Sequence, residues 1–160
     1  MKILVISDTH GDLRNLERVL KNGEQYDMLI HCGDICGDEE RVQRLAGIPF
    51  FGVSGNMDFS GILPYERIVE AGGKKIFVAH GHRLGVNFDT VELAEEALAE
   101  KADIALYGHT HVPEVHEQDG ITIMNPGSLS YPRQAGRQAS FGVIGIEESG
   151  SISFDLRYLQ

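Results

Sequence analysis

The chain opens with an unbroken apolar run, Ile3-Leu4-Val5-Ile6, the pattern of a strand covered on both faces. After a short polar stretch, Leu13, Leu16, Val19 and Leu20 recur at helical spacing, with Asp12 placed to cap the helix. The same succession then repeats. Tyr26 to His31 reads as a second strand, Glu39 to Ala46 as a second helix, and Ile48 to Val53 as a third strand whose Pro49 suits a strand start. Strands alternating with helices imply right-handed crossovers and a largely parallel sheet. In such sheets ligands gather beyond the carboxyl ends of the strands.

Beyond Asn56 the pattern changes. Pro64 to Val69 and Lys74 to His80 are strand-like runs around Ala71-Gly72-Gly73, which reads as a hairpin turn. A helix is expected from about Asp89 to Lys101, with Val91, Leu93, Ala94, Ala97 and Leu98 on its apolar face and Asp89 and Thr90 at its start. Ile104 to Tyr107 is a further strand. Glu114 to His116, Ile121 to Met124, Phe141 to Ile146 and Ile152 to Tyr158 read as antiparallel strands, with turns at Gln118-Asp119-Gly120 and Glu148-Ser149-Gly150. The expected class is α/β: two mixed sheets packed face to face and flanked by helices, an α/β/β/α sandwich in a single domain over residues 1–160.

Composition narrows the function classes. Hydrophobic residues make up 42% of the chain and charged residues 24%, as in a globular protein, and no apolar run approaches the ~20 residues that span a bilayer. Ser7-Asp8-Thr9-His10 interrupts the first apolar run too early for a signal peptide, so a cytoplasmic setting without a membrane partner is expected. The net charge of −10 argues against nucleic acid as a partner, since such binding uses basic patches to displace phosphate counterions. Cys32 and Cys36 form one C-x-x-x-C pair with no second pair for a zinc knuckle, and both read as small residues near a strand end. The apolar alternation near the C-terminus admits a homodimer.

The chemistry lies where the strands stop. Asp8 and His10 follow the first strand, Gly33-Asp34 the second and Gly55-Asn56 the third. His80 and then Gly108-His109-Thr110-His111 follow two later ones. Carboxylates, an amide oxygen and imidazoles without thiolate suit manganese, iron, zinc or nickel better than copper(I) or calcium. Seven such groups exceed the needs of one ion, and a carboxylate can bridge two, which favours a pair of divalent ions ~3.5–4 Å apart. Two divalent ions outweigh Asp8 and Asp34, so a phosphate ester can bind despite the acidic surface. Water shared by such ions ionises near neutral pH and can attack phosphorus.

These five motifs, in this order, resemble those of the calcineurin-like metallophosphoesterase superfamily over essentially the whole chain. Gly55-Asn56-Met57-Asp58 and the length point to its small bacterial and archaeal phosphodiesterases, whose fold is shared by a retromer scaffold subunit. The resemblance implies that Asp8, His10, Asp34 and His111 bind one ion, with Asp34 bridging, and that Asn56, His80 and His109 complete the other. Manganese is the first expectation, with zinc, nickel, iron or magnesium also accommodated, and the substrate is expected to be a small phosphate ester. The chain departs from larger members at Met57, where they carry a histidine thought to protonate the leaving group; a thioether cannot donate a proton. His82 is a substitute acid, and Asp58 either an acid or a support for the ligands. His31 and His116 read as structural and surface residues, Asp12 and Asp38 as helix caps. Asn125-Pro126-Gly127-Ser128 reads as a turn-rich loop without catalytic assignment. Arg133 and Arg137 stand either near an anionic substrate or on a solvated loop. Two functions are carried forward: a metal-dependent phosphodiesterase, and a protein-binding scaffold of the same fold with idle chemistry.

Overall fold

In the computed structural model, which describes residues 1–160, the first apolar run forms strand β1 (Lys2–Ile6). It pairs in parallel with β2 (Met28–His31), and β2 pairs in parallel with β3 (Phe50–Gly52). Helices α1 (Arg14–Leu20) and α2 (Glu39–Ala46) connect them. A hairpin of β4 (Glu66–Ala71) and β5 (Lys74–Ala79) follows, turning where Ala71 faces Lys74. Next come α3 (Val91–Ala99), β6 (Ile104–Leu106), β7 (Glu114–Gln118), β8 (Ile121–Asn125), β9 (Ser140–Ile146) and β10 (Ile152–Tyr158). One sheet has the order β10-β9-β1-β2-β3 and the other β4-β5-β6-β8-β7.

The unbroken apolar runs have a direct cause in these layers. Along β1, Ile3 and Val5 pack with Ile76, Val78, Ile104 and Leu106 of the other sheet. Leu4 and Ile6 point the opposite way, onto Leu13, Leu16 and Val19 of α1 and its approach and Val42 of α2. Phe77 and Ala79 meet Leu93, Ala94 and Ala97 of α3 on the far side of the second sheet. Each central strand is covered on both faces, so alternation has no solvent side to mark. The result is the expected α/β/β/α sandwich. No helix is long and apolar enough to cross a membrane.

Several expectations need correction. Asp12 is not the cap of α1: the helix starts behind Leu13, and the Asp12 carboxylate instead accepts the Arg14 amide at 3.1 Å, a local turn that an aspartate makes with the residue two positions on. Asp38 does cap α2 by position, without a side-chain bond. The later strands are not all antiparallel, because β8 runs parallel to β6 while pairing antiparallel with β7. His116 is more than surface, since its Nε2 lies 3.0 Å from Thr90 Oγ1 at the start of α3.

Leu106 is fully buried between the sheets, whereas Leu98 on α3 is 45% exposed. Leu106→Ala is therefore expected to lower unfolding free energy by about 2–5 kcal/mol, and Leu98→Ala to change it by no more than about 0.5 kcal/mol. Urea denaturation followed by circular dichroism measures both.

Candidate metal centre

The residues singled out at strand ends converge on one place, beyond the carboxyl ends of β1, β2 and β3 in one sheet and β5 and β6 in the other. They do not arrive there on extended chain. Asp8, His10, Asp34, His109 and His111 all have left-handed backbone, with φ from 46° to 66°, a conformation that aspartate and histidine tolerate better than most side chains but that still costs energy. His109 and His111 thus share a cleft because the chain coils past the end of β6, not through the alternation of a strand. Backbone bonds between loops hold the coils: Asp8 N–H to the Gly33 carbonyl at 3.0 Å, His10 N–H to Asp34 at 2.9 Å, and Gly108 N–H to His80 at 3.1 Å.

The side chains turn their lone pairs inward. His80 Nδ1 lies 2.7 Å from the Cys32 carbonyl and His111 Nδ1 2.7 Å from the Tyr131 carbonyl. A carbonyl only accepts, so Nδ1 carries the hydrogen in each ring and Nε2 faces the site bare. His111 Nε2 stands 3.1 Å from Asp8 Oδ1 and 3.3 Å from His10 Nε2. Asp8 Oδ1 is buried and has no hydrogen-bond donor. Asp34 Oδ1 accepts the Met57 amide at 2.8 Å, which leaves Oδ2 pointing at His80 Nε2, 3.4 Å away, and His10 Nε2, 3.7 Å away. Asn56 Oδ1 lies 3.0 Å from both His80 Nε2 and His109 Nδ1. A buried carboxylate oxygen facing bare imidazole nitrogens is unfavourable unless a proton or a cation stands between them. The donor set therefore fits divalent ions. Two groupings emerge, Asp8 with His10 and His111, and Asp8 with Asp34 and His80.

The electrostatics carry the same message. Burial raises the Asp8 carboxyl, but the neighbouring rings of His111 and His80 outweigh it and hold the group below the usual carboxylate range. Burial likewise opposes ionisation of Asp34, yet the bond and charge of His80 and the Met57 amide bring it down to about 2. His80 moves the other way: burial lowers it, while the Asp34 bond and the charges of both aspartates raise it above the ordinary histidine value. These opposed shifts mark a place where positive charge is favoured between the two carboxylates.

Around these groups is a frame that the sequence only partly reveals. Gly55 and Gly108 are dictated by close approach: a Cβ at Gly55 would lie 2.1 Å from Asp34 Oδ1, and one at Gly108 would lie 2.0 Å from Ser7 Oγ and 2.8 Å from Asp8 Oδ2. Asp58 accepts the amides of Asp34 and Gly55, each at 2.8 Å, and of Cys36 at 2.6 Å. With both oxygens so engaged it ties two ligand-bearing loops together and has no free position from which to deliver a proton. Asn125, unassigned from sequence, is buried and donates to the Gly108 carbonyl at 3.0 Å and to Thr110 Oγ1 at 2.9 Å. Ser128 Oγ donates to the Asp8 carbonyl at 2.8 Å. Their turn-forming composition is the only sequence signal either residue carries. The Cys36 sulfur is 3.8 Å from His10 Nδ1, and burial with the surrounding carboxylates pushes this thiol up to about 11.

His82 is brought to the site by a turn, since Gly81 has φ of 98° and the chain is not extended there. Its ring centre is 5.3 Å from that of His80 and 6.1 Å from that of His109. Burial, followed by the neighbouring His80 and His109, lowers its pKa. Met57 is half exposed beside Asn56. On the opposite flank, an open cleft of about 770 Å³ is lined by His10, His111, Tyr131, Arg133 and Arg137 together with Ser130 and Pro132.

His31 is structural. Fully buried, it receives the Gly33 amide on Nδ1 at 3.1 Å and donates from Nε2 to Thr9 Oγ1 at 3.0 Å. Burial lowers its pKa to about 4, against an ordinary value of 6.5. The unfolded chain therefore takes up this proton first as pH falls, and stability complete above pH ~6.5 is lost towards pH ~4, by about 3 kcal/mol for this group. His31→Gln is expected to show a shallower loss of stability than the parent across that window. Chemical denaturation at successive pH values compares the two.

Comparison with known proteins shows the family. The model of the calcineurin-like phosphoesterase superfamily domain matches residues 1–149. The probable metallophosphoesterase YsnB of Bacillus subtilis is 34% identical over 152 residues, covering 94% of this chain and 88% of the relative. Phosphodiesterase YfcE of Escherichia coli K12 is 28% identical over 172 residues, covering 90% and 87%. Among solved structures, a predicted phosphoesterase from Streptococcus pneumoniae superposes with a TM-score of 0.85 at 33% identity, covering 98% of this chain and 88% of the other. Wild-type Vps29 of Entamoeba histolytica complexed with zinc superposes with a TM-score of 0.79 at 25% identity, covering 99% of each chain. With its strand-end motifs gathered into one metal-capable cluster and a family match over nearly its full length, the chain belongs to the calcineurin-like phosphoesterase superfamily.

Proposed function

We propose that the protein is a binuclear-metal-dependent phosphoesterase that hydrolyses phosphodiesters. The observation that carries this reading is the unpartnered Asp8 Oδ1, buried among the imidazole nitrogens of His111, His10 and His80. In this reading Asp8, His10 and His111 would hold one divalent ion and Asn56, His80 and His109 the other, with Asp34 serving both. Such ions, when bound, neutralise the phosphate and make water a competent nucleophile at neutral pH. Manganese is the favoured ion for this oxygen and imidazole set, and the cytoplasm, where Cys32 and Cys36 stay reduced, is the favoured setting.

The chain's own residues then define the rest of the chemistry. His80 and His111 are locked by Cys32 and Tyr131 so that each presents Nε2. Asp58 and Asn125 keep the loops in place. Met57 offers no proton, and His82 is the group next in line to supply one to the leaving oxygen. Because its surroundings disfavour the charged ring, little of it is doubly protonated at neutral pH, and substrates with stabilised leaving groups are favoured. The name of the E. coli relative supports the diester assignment.

Exposed apolar side chains beside the site, Phe59 and Phe88, together with Met57, favour the competing reading of a protein-binding scaffold. The likeness to Vps29 is compatible with it. Turnover separates the two. With manganese, bis(p-nitrophenyl) phosphate is expected to be hydrolysed, chelator to abolish the activity, and Asp34→Asn to reduce kcat/KM by at least ~100-fold, as for loss of a group that stabilises transition-state charge. No turnover with any divalent ion, or an undiminished Asp34→Asn variant, returns the protein to the scaffold reading. Aryl diesters are further expected to react faster than alkyl diesters of equal charge. Equal rates would show that an effective acid protonates the leaving group.

A further inference from the structure

The cleft beside the metal centre has a flank that hydrolysis itself does not require. Its floor is physically joined to the site: the Tyr131 carbonyl holds His111 Nδ1 at 2.7 Å, the Arg133 amide donates to the His111 carbonyl at 3.1 Å, and the Tyr131 ring stands edge-on to His10 with centres 5.3 Å apart. The segment therefore cannot move independently of the ligands. Tyr131 nevertheless keeps 57% of its surface exposed, an unused aromatic face on a rigid support.

The arginines here differ from most others in the chain. Arg14, Arg41 and Arg157 sit in ion pairs, Arg18 and Arg67 donate to backbone carbonyls, and Arg83 lies over the ring of Tyr65. Arg44, at the last turn of α2, is favoured there by the helix dipole. Arg133 and Arg137 have neither an ionic nor a hydrogen-bonded partner for their guanidinium groups, although 24 acidic residues were available to supply one. Both line the cleft. Two unpaired guanidinium groups beside an aromatic face match a planar ring carrying phosphate, since arginine binds phosphate oxygens in a two-pronged fashion. The single charge of a diester is already met at the metal centre, so these cations are surplus to the reacting group.

We propose that Tyr131, Arg133 and Arg137 form a recognition subsite for an aromatic ring bearing a second phosphate. The substrate class is then a nucleotide-like phosphodiester with an additional phosphate group, and this assignment rests on the phosphodiesterase reading above. The cleft, at about 770 Å³, has room for such a ligand.

Calorimetry with thymidine 3′,5′-bisphosphate and thymidine 5′-monophosphate tests the subsite, using the manganese-loaded protein and the same protein after chelation. The bisphosphate is expected to bind the manganese-loaded protein at least about tenfold more tightly than the monophosphate, the scale of one added charge-assisted contact, and the preference to shrink after chelation, when the monophosphate can occupy the arginines itself. Higher salt should narrow the difference. In the R133Q/R137Q double variant the two nucleotides are expected to bind alike, with R137Q alone intermediate and circular dichroism reporting the fold. Equal binding by the parent protein, or a preference that survives in a folded double variant, overturns the subsite; the parent comparison decides even where a variant fails to fold. Turnover of bis(p-nitrophenyl) phosphate by the same parent preparation tests the underlying reading separately. Hydrolysis without a bisphosphate preference removes the subsite alone, and a preference without hydrolysis removes the phosphodiesterase assignment alone.

Discussion

The structure is organised around a charge that has no partner within the protein. Asp8 places a carboxylate oxygen in the closed junction of two sheets, where isolated charge is costly. The surrounding groups do not relieve it, because His80 and His111 have committed their hydrogens to backbone carbonyls and face it with lone pairs. This explains why so many loops are tied to one another there. Asp58 takes amides from two of them, Asn125 spans the 108–110 turn, and Ser128 reaches back to Asp8 across 120 positions of sequence. Without that bracing, the like groups would separate into solvent.

Electrostatics at two scales meet at this point. The chain as a whole is strongly acidic and would repel a phosphate ester at long range, within the limits set by salt screening. Locally the balance reverses, because the ligand set demands cations and the neighbouring cleft adds unpaired guanidinium groups. A cationic opening on an acidic exterior draws anions towards that opening.

Much of this was legible in the sequence, and the limits have physical causes. Strand bodies could be read because central strands of a double-sided sheet are continuously apolar, as Ile3 to Ile6 are. The strand-end residues stood out because their chemistry recurs after each body, and Gly55 and Gly108 preceded them because no Cβ fits against Asp34 or Asp8. What could not be read was backbone hand. Nothing local says that His109 and His111 sit at positive φ, the hand that brings both rings into one cleft. The bracing residues were hidden for another cause: Asn125 and Ser128 act on partners far away in the chain, and turn composition is all that shows locally. Asp12 misled because its carboxylate is taken up by the amide and the guanidinium of Arg14 instead of capping the helix.

The ligand-capable groups come from both sheets: Asp8, His10, Asp34 and Asn56 follow strands of one, and His80, His109 and His111 follow strands of the other. A cation held among them is therefore a cross-link between two layers otherwise joined there by apolar packing. Its binding would add to the folding stability of the sandwich, growing with the logarithm of free metal over its dissociation constant. Metal supply would then set how much of the chain stays folded as well as its chemistry, so that a cell short of the ion would hold a less stable molecule, not merely an idle one.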